Sequence, residues 1–245
     1  MNEVMKLMQA HSSVRSYTSE AIDEALLHEI IACGQAAASS SFIQAYSVIR
    51  VSDKAKRQTI AEAAGGQSWI IDAAEFMVLC ADLRRVNYAA QKSGAGELEG
   101  YTEHFLAATV DVALMAQNMM LAAESCGLGA VFIGGIRNNP QVVTDVLELP
   151  QQVYPAFGFC LGWPRHRNAV KPRLPVSSIL HQNSYDLNKV ASVVDAYDEL
   201  IADYYGTRAS NAKSSDWSAP TTRAIQGKRR EHMLEFLQAQ GFLKR

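Results

Sequence analysis

The sequence predicts a layered domain with a central sheet covered by helices on both faces. Three observations predict it. Helical and strand-like segments alternate along the chain. One strand-like segment is apolar at consecutive positions, as a strand covered on two sides requires. A long segment without glycine or proline is apolar nearly all round, the pattern of a buried helix.

Residues 23–33 carry Leu26, Leu27, Ile30 and Ile31 on one helical stripe, with Asp23 placed to cap its start. Ala36 to Phe42 is small and polar and reads as a loop or helix edge. Ala45 to Val51 alternates as a strand does. Glu75 to Asp82 is the continuous apolar run, closed by carboxylates. From about His104 to Cys126 the segment is apolar almost all round, with Asp111, Gln117 and Asn118 as polar relief along its middle, so this helix runs through the domain or against a second subunit. Gly127–Gly135 and Tyr154–Trp163 are strands framed by glycines. The alternation by itself reads as an α/β arrangement with a mixed sheet.

After about Val190 the character changes. Tyr197 to Tyr205 is helical, and 206–215 is a small polar loop expected to be mobile. From Arg208 to Arg230 the basic residues are Arg208, Lys213, Arg223, Lys228, Arg229 and Arg230, against Asp216 alone. No repeat and no separating linker occurs, so residues 1–245 read as a single domain, long enough to bury a large core.

Net charge is −2, so no general field favours nucleic acid or an anionic membrane, and any anion recognition is local. No uninterrupted apolar run reaches the roughly 18 residues of a membrane span, and the first eight residues lack a secretory apolar region. Cys33, Cys80, Cys126 and Cys160 are widely spaced in apolar or small-residue segments. They read as buried free thiols of a cytoplasmic protein rather than disulfides or metal ligands. No metal-binding spacing, P-loop, G-x-G-x-x-G fingerprint or G-x-S-x-G elbow is present.

Two rigid basic clusters remain. His11-Ser12-Ser13-Val14-Arg15-Ser16-Tyr17 places an imidazole, hydroxyls and a guanidinium together, ahead of the helix at 23–33. If the turn opens a helix, free N–H groups add to an anion site. Lys171-Pro172-Arg173-Leu174-Pro175 pre-positions two cations between prolines. A phosphate held from two directions suits both, and a flavin phosphate is the candidate. Gly134-Gly135 after a strand lets backbone approach a flat ring. Gln67, after Gly65-Gly66, offers an amide that donates and accepts, matching the edge of a flavin pyrimidine.

These fragments occur in one order with Ser39-Ser40-Ser41-Phe42-Ile43-Gln44, Ala73-Ala74-Glu75-Phe76, Ala122-Ala123-Glu124-Ser125-Cys126-Gly127-Leu128-Gly129, Phe132-Ile133-Gly134-Gly135-Ile136-Arg137-Asn138-Asn139, Leu161-Gly162-Trp163-Pro164 and Tyr204-Tyr205-Gly206-Thr207-Arg208. From about residue 8 onward the chain resembles the nitroreductase family, in its oxygen-insensitive NADPH nitroreductase and NADPH–flavin oxidoreductase group. The resemblance implies an α+β fold with a central mixed, mainly antiparallel sheet flanked by helices. It further implies a homodimer with two interfacial active sites, a C-terminal excursion over about 190–245, and tightly but non-covalently bound FMN with NADPH as donor.

By the same resemblance His11, Ser12, Ser13, Lys171 and Arg173 hold the phosphate and ribityl chain, and Arg15 lies at flavin N1/O2. Ser39 and Gln67 contact the pyrimidine side or ribityl chain, and Phe132, Ile133, Gly134 and Gly135 pass the ring near N5. Ser41 and Phe42 of a neighbouring subunit line the substrate opening. Arg208 matches a position that reads the NADPH 2′-phosphate, with Lys213 and Arg230 assisting. Ser12 stands where many relatives have arginine, and Gly227 where a relative carries lysine. The implied reaction is two-electron ping-pong reduction of nitroaromatics, quinones or free flavins, with the chemistry on the flavin and no catalytic side chain. An FMN-binding carrier that hands reduced flavin to a partner is the alternative.

Overall fold

Four strands, β1 (Tyr46–Arg50), β2 (Glu75–Asp82), β3 (Gly129–Ile133) and β4 (Val153–Gly162), form one sheet in the order β1-β2-β4-β3. All three pairings are antiparallel. The α/β arrangement suggested by alternation therefore gives way to α+β. Alternation counts elements, whereas the direction in which a connection returns decides parallel from antiparallel. The structure is a computed structural model that describes residues 1–207, 214–227 and 229–245.

The chain groups into two compact units, Met1–Asn168 with Arg230–Arg245, and Ala169–Arg229. The first holds the sheet and α1 (Glu3–Gln9), α2 (Glu24–Gln35), α3 (Lys54–Ala63), α4 (Trp69–Asp72), α5 (Arg84–Lys92), α6 (Thr102–Ser125) and α7 (Pro140–Val146). Every residue of β2 is buried, because its two faces meet different cores. Met77, Leu79 and Ala81 join the cluster containing α2 and α6 residues. Phe76, Val78 and Cys80 join the cluster containing Ile60, Ile70 and Val143 of α3, α4 and α7. Asp23 caps α2 as the sequence implies, its Oδ1 accepting from the N–H groups of Ala25 and Leu26 at 2.9 and 3.2 Å.

By length and composition α6 could cross a membrane. Here Ala108, Val112, Met115 and Met119 are buried in the core beside β2 residues. Leu106, Val110 and Leu114, spaced by four, are 50%, 53% and 43% exposed and form an apolar stripe. The cysteines are all free. Cys80 and Cys160 are buried, and burial pushes both thiols up. Cys33 and Cys126 are exposed, against expectation, because Cys33 falls off the buried stripe of α2 and Cys126 follows the end of α6.

The second unit contains α8 (Val176–Ile179), α9 (Lys189–Gly206) and α10 (Ser218–Gly227). Tyr197 donates its hydroxyl to the Pro172 carbonyl at 2.8 Å. Asp198 accepts from the N–H groups of Trp217 and Ser218 at 2.9 and 2.8 Å, which ties α9 to the start of α10. The last residues belong to the first unit, where α11 (Met233–Ala239) and the turn after it bury Phe236, Leu237 and Phe242.

Candidate active site

The 11–18 segment does not open a helix. It runs between α1 and α2, and α2 begins nine residues after Arg15, so no helical N–H groups add to it. It is instead sewn to the end of the sheet. Val14 N–H donates to the Ala130 carbonyl at 3.0 Å, Thr18 N–H to Trp163 at 2.8 Å, and Arg165 N–H to Ser16 at 3.0 Å. Tyr17 bridges to Pro164, and its buried hydroxyl donates to the Val14 carbonyl at 2.7 Å. Burial, and then the Cys160 thiol, push that hydroxyl well above the usual phenol range. Gly129 is required beneath Val14, since a Cβ there would lie 2.5 Å from Val14 Cγ2. Ser12 is buried and Arg15 exposed. His11 Nδ1 lies 2.7 Å from Oε1 of the buried Glu124.

A chain of contacts leads on from Arg15. Its guanidinium sits over the Trp69 ring, 5.8 Å from the centroid, and makes no ion pair among the described residues. Trp69 opens α4 directly after the turn Gly65-Gly66-Gln67, whose glycines adopt φ of 88° and 75°. The Gln67 carboxamide donates to the Ala64 carbonyl at 2.8 Å and presses on Gly135, where a Cβ would lie 2.1 Å from Gln67 Nε2. Beside it, Arg230 donates to the Gly134 carbonyl at 2.9 Å and to Asn138 Oδ1 at 3.0 Å. Burial, and then neighbouring Arg137, lower the Arg230 guanidinium. Ile133 is buried, while Phe132 on edge strand β3 is 37% exposed and stands edge-on to Phe157, 5.3 Å between centroids. Gln67, Gly134, Gly135 and Arg230 are thus brought together, and Arg15 rests on Trp69, two residues along the chain from Gln67.

Ser39, Ser41 and Phe42 lie on a separate loop. Asp111, fully buried on α6, accepts from Ser40 N–H at 2.8 Å and Ala45 N–H at 3.1 Å. This clamp holds Ser41 and Phe42 in left-handed backbone, with Phe42 80% exposed. Ser39 Oγ accepts from Gln44 N–H at 3.4 Å. A cleft of about 740 Å³ opens beside the loop, lined in part by Phe42, Tyr46, Val48 and Arg85.

In the second unit Lys171 and Arg173 are exposed, and Lys171 Nζ lies 5.3 Å from the Tyr205 ring centroid. Arg208 and Lys213 fall outside the described residues. Sequence reasoning missed Glu124, Trp69, Asp111, Asn138, and the pair Arg167 and Asn168. Arg167 donates to the carbonyls of Gly127 and Leu128 at 2.9 Å, and Asn168 to that of Ser13 at 3.3 Å. The polar run Arg165–Asn168 directly after β4 was the available signal. Among the described residues no group of three metal-ligating side chains converges.

The fold and this constellation define an α+β protein whose sheet end carries an open, cationic, glycine-lined surface. The family models for the nitroreductase family and for its C-terminal domain match residues 8–163 and 171–245, so the chain belongs to the nitroreductase family. An oxygen-insensitive NADPH nitroreductase of Salmonella typhimurium is 42% identical over 246 residues, covering 100% of both chains. An FMN reductase (NADPH) of Bacillus subtilis is 37% identical over 248 residues, again covering 100% of each. Among solved structures, the NfrA1 nitroreductase from B. subtilis superposes with a TM-score of 0.94 at 35% identity, covering 99% of this chain and 100% of that one.

Proposed function

We propose that this chain is an FMN-dependent oxidoreductase that uses NADPH to reduce nitroaromatics, quinones or free flavins. The observation that carries the reading is Arg15, braced on Trp69 without an acidic partner among the described residues, beside the Gln67–Gly135 contact. Two buried polar atoms without a hydrogen-bond partner among the described residues flank the 11–15 segment, Trp69 Nε1 on the ring under Arg15 and Glu124 Oε2 on the carboxylate beside His11, as expected where a polar ligand belongs. The donor set fits FMN. His11, Ser12 and Ser13 would hold its phosphate and ribityl chain, a role also proposed, on the family resemblance, for Lys171 and Arg173. Gln67 and Ser39 pair with its polar edge, and Phe132, Ile133, Gly134 and Gly135 line its ring.

FMN held there would supply the two-electron hydride chemistry between NADPH and the acceptor. Arg15 would offer a fixed positive charge to the negative charge of a reduced flavin, and its contact with the Trp69 ring lessens its freedom to leave. Gly134 and Gly135 present backbone without side-chain bulk, so donor and acceptor use the same open shelf in turn. Arg208 selects NADPH through its 2′-phosphate, with Lys213 assisting, while Arg230 is held at Gly134 where it borders that shelf.

The protein works as a cytoplasmic homodimer. The exposed stripe Leu106, Val110 and Leu114 supports a subunit interface along α6, and Ser41 and Phe42 line the partner's opening. Initial rates of NADPH oxidation with a soluble quinone give parallel double-reciprocal lines on this reading, and Arg15→Ala lowers kcat/KM for both half-reactions. Absence of turnover in protein shown to hold FMN would leave the carrier reading in its place.

A further inference from the structure

Glu124 stands where packing alone would not put a carboxylate. It lies in the last turn of the 24-residue helix α6, facing the negative end of the helix dipole. Its side chain is 3% exposed, and Oε2 has no hydrogen-bond partner among the described residues. A half-satisfied buried carboxylate is less favourable than an apolar side chain of similar volume. Its one partner is the His11 ring, 113 residues away, with Nδ1 at 2.7 Å from Oε1.

We propose that Glu124 is a positioning residue for FMN binding, one that holds His11 Nδ1–H and thereby presents Nε2 to the phosphate. The inference rests on the reading that His11 contacts that phosphate. A carboxylate accepts but cannot donate, so Nδ1 carries a hydrogen. Nε2 is then the nitrogen left for a ligand, and a phosphate oxygen, itself only an acceptor, is met there through an N–H. The His11 side chain is 27% exposed, so the ring is backed by the buried carboxylate without being sealed. The backbone on either side is pinned by Arg167 at Gly127 and Leu128 and by Asn168 at Ser13. Glu124 thus fixes the ring's orientation through Nδ1–H, much as outer carboxylates do behind ligating histidines elsewhere.

The test titrates full-length apoprotein with FMN and with riboflavin, which differ only in the phosphate. Glu124→Leu should weaken FMN roughly tenfold or more and leave riboflavin within about twofold. Glu124→Gln, which keeps a neutral acceptor, should show a smaller loss confined to FMN. In a His11→Ala background Glu124→Leu should have no further effect on FMN. Imidazole ¹⁵N shifts of the apoprotein should report a hydrogen-bonded Nδ1–H at His11 in the wild type that is lost in Glu124→Leu. If Glu124→Leu does not fold, the FMN-to-riboflavin ratio of Glu124→Gln carries the same test. Equal losses for both flavins, or an undiminished loss without His11, would overturn the proposal. A wild-type protein that binds riboflavin and FMN equally would remove the phosphate reading of His11 itself, and one that binds neither would remove the flavin site.

Discussion

Replacing Gly135 by alanine tests whether the glycine turn is built for close approach. The new Cβ would lie 2.1 Å from Gln67 Nε2 and 2.5 Å from the Ala64 carbonyl oxygen. The carboxamide can swing aside, but the carbonyl belongs to the end of α3 and cannot. Clearing it to an ordinary contact of 3.4 Å requires a shift of about 0.9 Å in backbone. Such overpacking costs about 1–3 kcal/mol, and each kcal/mol lowers Tm by roughly 2–4 °C at this size. Gly134→Ala is the internal control. Its Cβ would meet only the Arg137 guanidinium, at 3.3 Å, which has to give by about 0.1 Å, so stability should change by less than about 0.5 kcal/mol. Urea unfolding gives the stability of each variant, and FMN titration reports whether displacing Gln67 weakens the site. A Gly135→Ala protein as stable as Gly134→Ala, with unchanged FMN affinity, would show that the turn tolerates a side chain at Gly135.

Other perturbations address separate parts of the account. Asp111→Ala leaves the N–H groups of Ser40 and Ala45 without their acceptor, at about 1–3 kcal/mol each; urea unfolding should show the loss and hydrogen exchange should quicken at both amides. Asp198 is held below the usual carboxylate range, first by the Ser218 side chain and also by the N–H groups of Ser218 and Trp217. Its folded pKa is the lower one, so its stabilisation is present above the unfolded value and lost as pH falls through the folded value. Exchange protection at Trp217 and Ser218 should therefore fade only on the acid side, and Asp198→Asn should remove that dependence. Arg208→Ala should raise KM for NADPH far more than for NADH, and equal effects would reject its 2′-phosphate role.

How much was legible in the sequence follows from which signals are local. The run Glu75–Asp82 marks β2 to the residue, because burial on both faces leaves no polar position to blur it. Asp23 and the α2 stripe were legible because a cap and a period of 3.6 are short-range. The long helix was visible from composition, although its exposed stripe Leu106, Val110 and Leu114 was not, since apolar residues fill both sides. Strand direction was hidden, because the helical connections α3–α4 and α7 resemble parallel crossovers until their return is traced. Cys33 and Cys126 were misplaced because exposure depends on helix phase and on where a helix stops. Of the site, the glycines and the His11–Arg15 cluster stood out by residue type. Glu124 and Trp69 did not, because their roles come from partners far along the chain.

The most direct measurement is the visible spectrum of the purified protein, followed by denaturation and identification of whatever is released. An FMN-dependent enzyme is yellow as purified, or becomes yellow on adding FMN to the apoprotein, with one FMN recovered per chain. A colourless protein that takes up no flavin would contradict the FMN reading.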